Sequence, residues 1–314
     1  MASIELRPVG NSGLKVAPLA LGGNVFGWTA DEATSFRILD AFVDAGGTMI
    51  DTADVYSAWV QGHKGGESEE VIGRWLKRDP SKRDKVVIAT KVGFMAGLKP
   101  ETIGPACDAS LERLGVEAID IYYQHKDDES VPLAESLKTF DDQAKAGKIR
   151  AIGLSNFTPG RLAEACIIAR VDGFPAVSAF QTWYNLLERP KYEEALREVA
   201  VKEGLAVFPF YALANGYLTG KYRSRDDLGK SVRGLRNFEY LEGKGPKVLA
   251  ALDEVAAETG AALASIALAW TMAQPTITAP IASATSAEQA EELIAGMTLE
   301  LTTGQLERLS AASA

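Results

Sequence analysis

The chain is short of the residues that metal and disulfide chemistry need. Its 314 residues contain only two cysteines and two histidines. Their spacing, His63 far from His125 and Cys107 far from Cys166, matches neither HExxH nor the four-ligand Cys/His zinc patterns. Cys107 and Cys166 lie in helical-looking segments with no paired spacing, so both are expected as reduced core thiols. Positive charge is also scarce: 33 Lys and Arg against 42 Asp and Glu leave a formal net charge of −9. Such a balance excludes broad electrostatic attraction to nucleic acid or to an anionic membrane surface. No apolar run approaches the roughly 20 residues that cross a bilayer. The apolar stretch 261–273 reads as a buried helix, and "MASIELRPVGNSG" at the N-terminus has no apolar leader core. The expectation is a cytoplasmic protein without nucleic-acid or membrane partners. Neither GxGxxG nor the Walker A pattern occurs, so any nucleotide is held by other means.

What is present is a regular alternation. Apolar or β-branched runs at 15–23, 47–52, 85–92, 118–125, 149–156, 175–183, 205–213 and 276–284 read as eight strands. Between them lie helical patterns at 31–45, 67–78, 100–114, 133–146, 159–170, 190–203 and 246–273, the last broken near Thr259-Gly260. Eight strands with intervening helices predict one domain, an α/β parallel (β/α)8 barrel of TIM type. A doubly wound sheet is the competing architecture, but "LGGNVFGW" after the first strand fits no phosphate-loop fingerprint. The segment "IELRPVGNSG" reads as a β-hairpin plug with an Asn-Ser-Gly turn. More than twenty residues rich in Arg, Lys, Gly and Asp separate "LTGKY" (218–222) from the helix after Pro246. A loop of that length after the seventh barrel strand predicts a lid.

In a barrel, catalytic side chains belong where strands stop. Asp51 ends the second run, with Tyr56 in the loop beyond it. Lys91 follows the apolar "VVIAT", His125 follows "IDIYYQ", Ser155-Asn156 end the fifth run and Gln181 lies near the end of the sixth. Singly, each reads more naturally as structure. A lysine after an apolar run is unusual, because a buried ammonium needs an anion. Asp51 is the natural partner. Such an ammonium near Tyr56 is expected to lower the phenol from its ordinary pKa of about 10. His125 would then orient a substrate oxygen. That quartet suits protonation of a carbonyl oxygen while another group attacks its carbon. Trp28, Trp59 and Phe94 fall in loops after strands and suit an apolar substrate pocket.

These motifs resemble the aldo-keto reductases over nearly the full chain. "GLKVAPLALGG" is similar to the family's opening strand, "DTADVY" to its DTAxxY element, "VVIATKVG" to its ATK element and "IYYQHKDD" to its strand-four histidine. "GKIRAIGLSNF" is the most specific match, followed by "LTGKY". The resemblance implies carbonyl reduction, or the reverse alcohol oxidation, by hydride transfer from an extended nicotinamide cofactor. Tyr56 would be the general acid, tuned by Lys91 and Asp51, and His125 would orient the carbonyl. Gly23, Asn24, Ser155, Asn156, Gln181, Phe210, Tyr211, Leu213, Lys221, Ser283, Thr285 and Gln289 would hold the cofactor. Phe210 takes the place of the family's usual stacking ring, since "YSPL" becomes "FYAL" here.

The resemblance implies an NADP(H)-preferring enzyme with NADPH as its cofactor, NADH being possible. Here "ASATSAEQAEE" (282–292) has no Arg or Lys where the adenosine phosphate is expected. The lid residues Arg223, Arg225 and Lys230 are candidate substitutes. Two other functions stay open: a Schiff-base aldolase using Lys91, and a regulatory subunit like those of potassium channels. The particular carbonyl or alcohol substrate and the oligomeric state are not written in these motifs. The chain ends soon after 304–312, without the tail that narrows the pocket in some members, so an open site is expected.

Overall fold

The computed structural model describes residues 4–314. A short antiparallel hairpin, β1 (Arg7–Pro8) and β2 (Lys15–Val16), precedes the barrel. Eight parallel strands follow: β3 (Ala20–Gly22), β4 (Met49–Asp51), β5 (Val87–Val92), β6 (Ile119–Gln124), β7 (Ile149–Ser155), β8 (Val177–Trp183), β9 (Ala206–Phe210) and β10 (Ile281–Ala282). They pair in chain order, with β10 beside β3. On the other side Val207 pairs in parallel with Ile277, and its carbonyl accepts from Thr278 N at 2.9 Å. That bridge brings β9 to the segment leading into β10, and the barrel is nearly closed.

The surrounding helices are α1 (Glu32–Asp44), α2 (Glu67–Arg78), α3 (Pro100–Leu114), α4 (Leu133–Lys145) and α5 (Pro159–Val171). After them come α6 (Pro190–Glu193), α7 (Ala195–Glu203), α8 (Phe238–Glu242), α9 (Gly245–Thr259), α10 (Leu263–Met272), α11 (Ala287–Gly296) and α12 (Thr303–Ala312). Cys107 on α3 and Cys166 on α5 are both buried and free, and burial pushes each thiol up to about 12. Among the described residues no single helix is long and apolar enough to cross a membrane; α9 and α10 pass that test only as a pair bent by 99°.

Three sequence expectations need correction. The run 15–23 is not one strand: Lys15–Val16 belongs to the hairpin and Ala20–Gly22 to the barrel. Pro18 stands between them and has no N–H to donate to a ladder. The run 276–284 shrinks to Ile281–Ala282, interrupted by Thr276 at φ 73° and by Pro280. The helix expected at 190–203 is two helices, because Glu194 leaves helical geometry at ψ −119°.

Alternation along the strands separates two apolar layers. Ile50, Ile88, Tyr122, Ile152, Phe180 and Val207 point outward against the helices. Ala20, Met49, Ala89, Ile121, Tyr123, Ala151, Ala179 and Phe208 fill the barrel. Val9 and Val16 of the hairpin complete this inner cluster and plug one end. Arg7 fixes the plug by donating to the carbonyls of Met272, Ile277 and Thr278 at 3.0, 3.1 and 3.2 Å. The interior leaves little room: a Cβ on Gly153 would sit 2.3 Å from the Tyr123 ring. Beneath the site the barrel is therefore tightly packed and mostly apolar.

The long insertion after "LTGKY" is ordered. It holds two 3₁₀ turns, Arg225–Lys230 and Gly234–Asn237, and then α8. A Cβ on Gly234 would lie 1.8 Å from the Leu228 carbonyl oxygen, so the lid folds on itself only with glycine there. Ser231, Val232 and Arg233 come to rest on the wall of the central cavity. The expected lid does cover the site.

Candidate active site

Period-two alternation carries the inner face of each strand upward from hydrocarbon to polar groups. Two residues beyond Met49 stands Asp51; two beyond Ala89, Lys91; two beyond Tyr123, His125; two beyond Ala179, Gln181. Asp51, Lys91, Ser155 and Gln181 are each 1% exposed, and His125 is 8% exposed. The Lys91 ammonium uses all three of its N–H groups. It donates to Asp51 Oδ2 at 2.7 Å, to the Thr52 carbonyl at 2.7 Å and to the Tyr56 hydroxyl at 2.9 Å. Asp51 Oδ1 accepts from Gln181 Nε2 at 2.6 Å, while the Tyr56 hydroxyl reaches Asp51 Oδ2 only at 3.4 Å. With its donors saturated and its nitrogen buried, Lys91 presents no amine to a carbonyl carbon. That geometry disfavours a Schiff base.

The electrostatics differ from the expectation in one respect. The Tyr56 phenol is not lowered in this resting arrangement; burial, then the Asp51 carboxylate, hold it well above its ordinary value. Burial also pulls Lys91 below the usual lysine value, with Asp51 opposing. His125 is kept neutral by burial and by the nearby Lys91. Its Nδ1 is buried with no hydrogen-bond partner. A neutral imidazole carries one proton, on the nitrogen that meets an acceptor, and the ring faces the cavity. The rings of Tyr56 and Phe94 lie 6.0 and 4.9 Å from the imidazole.

A cavity of about 890 Å³ opens above these residues and reaches Asn24, Lys221, Ser283, Thr285 and Gln289. It gathers the quartet with Ser155, Asn156, Gln181, Phe210, Tyr211 and Leu213. Trp59 and Phe94 line it and are each 51% exposed, at its rim. Trp28 stands behind Trp59, edge to face at 5.4 Å, and is not on the wall. Gly23 is not on the wall either. Its N–H donates to the Asp51 carbonyl at 2.7 Å and its carbonyl accepts from Ser68 Oγ at 2.8 Å, while Gly22 faces the cavity.

The aldo/keto reductase family model matches residues 18–314. The chain belongs to that family. It is similar to an uncharacterized oxidoreductase of Bacillus subtilis, 34% identical over 95% of this chain and 92% of the relative. It is 31% identical to L-glyceraldehyde 3-phosphate reductase of Escherichia coli, over 92% of this chain and 86% of that enzyme. A putative voltage-gated potassium channel subunit beta of Schizosaccharomyces pombe is 32% identical over 92% and 87% of the two chains. Aldo/keto reductases are oxidoreductases that use a nicotinamide cofactor, and this chain is one of them.

The donor set of this reductase fits such a cofactor. Asn156 Nδ2 donates to the His125 carbonyl at 2.9 Å and to Ser155 Oγ at 3.0 Å. That leaves Asn156 Oδ1, the Ser155 hydroxyl proton and Gln181 Oε1 for a ligand. Two acceptors and a donor are the complement of a primary carboxamide. Ala214, Asn215 and Gly216 have φ of 48°, 55° and 89° beside Lys221. The N–H groups of Ala214 and Gly216 already donate to the carbonyls of Tyr211 and Leu213 at 2.7 and 2.9 Å, so Lys221 is the group in this stretch that offers charge to an anion. Toward the far end, Ser283 donates to Asn24 Oδ1 at 2.7 Å, and Gln289 Oε1 accepts from Thr285 N at 2.9 Å.

The three lid cations expected near an adenosine phosphate are committed elsewhere. Asp253 holds Arg223 with two bonds of 2.6 and 2.7 Å, Glu242 holds Arg225 at 2.9 Å, and Asp227 holds Lys230 at 2.7 Å. Among the cavity-wall residues that went unread in the sequence are Trp183 and Arg233. Trp183 has the inward parity of Gln181 on β8 and was legible by that rule. Nothing in the lid sequence singles out Arg233 from its neighbouring cations.

Proposed function

We propose that this reductase reduces an aldehyde or ketone, or runs the reverse oxidation, with Tyr56 as the proton donor to the carbonyl oxygen. The observation that carries this reading is the saturated Lys91 ammonium, fixed by Asp51 and donating to the Tyr56 hydroxyl at 2.9 Å on the cavity wall. The chemistry supplied by the bound dihydronicotinamide is hydride delivery to the carbonyl carbon. As negative charge grows on the carbonyl oxygen, Tyr56 passes its proton there, and the Lys91 N–H bond stabilises the phenolate left behind. A raised pKa keeps the phenol loaded before that moment. Neutral His125 donates its ring N–H to the same oxygen and orients it.

Ser155, Asn156 and Gln181 would hold the carboxamide, Phe210 and Tyr211 the nicotinamide ring, and Leu213 and Lys221 the pyrophosphate. Asn24, Ser283, Thr285 and Gln289 would take the adenosine end. A 2′-phosphate is held best by a guanidinium or ammonium, and the wall there carries Ser283, Thr285, Gln289 and Glu292. We therefore read the enzyme as accepting NADH at least as well as NADPH, against the family's common preference. The potassium-channel relative makes a regulatory role the second reading; the complete quartet favours retained chemistry.

The test combines binding and turnover. Each dinucleotide is titrated into wild type and Tyr56→Phe by tryptophan fluorescence, and carbonyl-dependent consumption of reduced cofactor is followed. We expect Tyr56→Phe to lose about 10²–10⁴-fold in kcat with cofactor affinity nearly unchanged. Turnover like wild type would remove Tyr56 from this role; absence of binding by either dinucleotide would remove the reductase reading.

A further inference from the structure

Thr52 and Thr90 stand where the outer face of the barrel wall would ordinarily be hydrocarbon. They continue the outward series of Ile50 and Ile88, and each is the chain neighbour of a quartet residue, Asp51 or Lys91. Both hydroxyls are taken by the first turn of α2. Thr52 Oγ1 donates to Ser68 Oγ at 2.8 Å, and Thr90 Oγ1 donates to Glu69 Oε1 at 2.5 Å. All four side chains are 0% exposed. Ser68 Oγ donates in turn to the Gly23 carbonyl at 2.8 Å, and Glu69 Oε2 accepts from Arg113 Nε of α3 at 2.7 Å. Gly66, just before α2, leaves room for that guanidinium, since a Cβ there would lie 2.5 Å from Arg113 Nε. The titratable groups around Glu69 are Arg113, Asp54, Lys91, Tyr122 and Cys107. A wholly buried carboxylate is a poor source of stability, because well-packed hydrocarbon of similar volume serves as well. Its use here is geometric. Four directional bonds pin two strand ends and two helices at the height where Lys91 meets Asp51, the Thr52 carbonyl and the Tyr56 hydroxyl.

We infer that Ser68 and Glu69 are positioning residues of this reductase: by holding Thr52 and Thr90 from behind the barrel wall, they fix the separation of Asp51 and Lys91, and with it the Lys91 bond to the Tyr56 hydroxyl. The inference deepens the reductase reading and rests on it for its effect on turnover. Lys91 ends in an ammonium on a flexible four-carbon stem, so its aim is only as definite as the placement of its partners. Thr52 supplies one of those partners through its carbonyl, and Thr90 sets the backbone from which the stem springs. None of Thr52, Ser68, Glu69 and Thr90 reaches the cavity wall. Their influence on the reaction therefore passes through Lys91 rather than through a ligand, and such support from behind is what holds a reacting group to a fraction of an ångström.

The experiment separates placement from packing. Thr90→Val keeps the shape and removes the hydroxyl, whereas Thr90→Ser keeps the hydroxyl. Ile72→Val, at a wholly buried apolar position of α2, loosens the helix without touching the four bonds. Since a misplacement of about 1 Å costs about 10²-fold, Thr90→Val is expected to lose about 10–100-fold in kcat for carbonyl reduction. Its substrate KM and its dissociation constants for NADH and NADPH should stay within about twofold of wild type. Thr90→Ser should regain most of the loss, and Ile72→Val should turn over like wild type. Ser68→Ala, which releases Thr52, is the second variant if Thr90→Val does not fold, with the same fall in kcat expected. In parallel, proton exchange of the Lys91 ammonium with water is followed by nitrogen NMR, the signal being assigned by its loss in Lys91→Met. Exchange should be slow in wild type and Ile72→Val, and about tenfold faster or more in Thr90→Val. That acceleration supports the positioning role even if no carbonyl compound is turned over, which would sink only the reductase reading. A kcat for Thr90→Val equal to that of Ile72→Val in an active enzyme, or an unchanged Lys91 exchange rate, overturns the inference and leaves the reductase intact. A fall in kcat matched by an equal weakening of dinucleotide binding also overturns it, because the threonine would then serve the cofactor and not the lysine.

Discussion

Asp51→Asn isolates the electrostatic centre of this barrel, because it keeps the volume and removes only the charge. Asp51 accepts from Lys91 at one oxygen and from Gln181 at the other, at 2.7 and 2.6 Å. Asparagine has one acceptor, so its amide must face either the Gln181 amide or the Lys91 ammonium, donor against donor. Lys91, 1% exposed, then keeps only the Thr52 carbonyl and the Tyr56 hydroxyl. Breaking a buried pair from one side costs about 3–5 kcal/mol. At about 2 °C per kcal/mol for a large domain, the midpoint of thermal unfolding near neutral pH should fall by roughly 6–10 °C.

The pH dependence of that loss has a definite sign. Burial already lowers Lys91 from the ordinary 10.5, and removal of Asp51 lowers it further. Between the depressed folded value and the ordinary one, the unfolded chain binds a proton that the folded chain does not. Stability of Asp51→Asn therefore recovers as pH rises through that window, and its deficit should shrink between about pH 7 and about pH 9.5. Circular dichroism melts at both pH values measure it. A double variant, Asp51→Asn with Lys91→Met, should be more stable than the sum of the single losses implies, since no charge is left buried. A midpoint within about 2 °C of wild type, flat with pH, would refute the claim that Asp51 neutralises a buried ammonium.

Two further outcomes follow from groups around the site. Asp54 is held up to about 7 by burial and by Glu69, and its Oδ1 is buried with no hydrogen-bond partner. A carboxyl raised in the folded state contributes stability that is lost as pH rises through that value, so Asp54→Asn should gain on wild type between about pH 5 and about pH 8 in thermal melts; parallel curves would show that Asp54 does not titrate there. Thr285→Arg adds the missing cation at the far end of the cavity. It should raise the NADPH-to-NADH affinity ratio by about tenfold or more in fluorescence titrations, and an unchanged ratio would place the adenosine elsewhere.

Most of the barrel was legible because period two and period 3.6 alternate cleanly along the chain. The strand at Val87–Val92 and the helices Glu67–Arg78 and Pro100–Leu114 fall where the patterns put them. The errors fall where proline and tight geometry override hydropathy, at Pro18 and Pro280. The helix Ala287–Gly296 escaped reading because its capping Ser286 and acidic first turn sit inside a segment dominated by small residues. Asp51, Lys91 and His125 were visible as polar residues ending inward-facing series. Arg233 was not, since its position depends on how an irregular lid folds over Gly234, and no periodicity reports that.

The raised Tyr56 and the role proposed here for Lys91 are two states of one arrangement. Before reaction, a half-buried phenol beside a carboxylate resists ionisation, and on the proposed mechanism it meets the substrate fully protonated. Below it, Met49, Ala89, Tyr123, Ala179 and Phe208 keep water away from the ammonium. In that low-dielectric setting a hydrogen bond from a fixed cation at 2.9 Å gains strength as the oxygen becomes anionic, more than the same bond would in water. The favourable term therefore appears chiefly as the proton leaves, which is where a catalyst needs it. Asp51 contributes indirectly by holding Lys91 charged and aimed, although its own charge opposes the phenolate. That opposition predicts why position matters: the carboxylate touches Lys91 at 2.7 Å but stays 3.4 Å from the phenol, close enough to fix the lysine and too far to capture the proton.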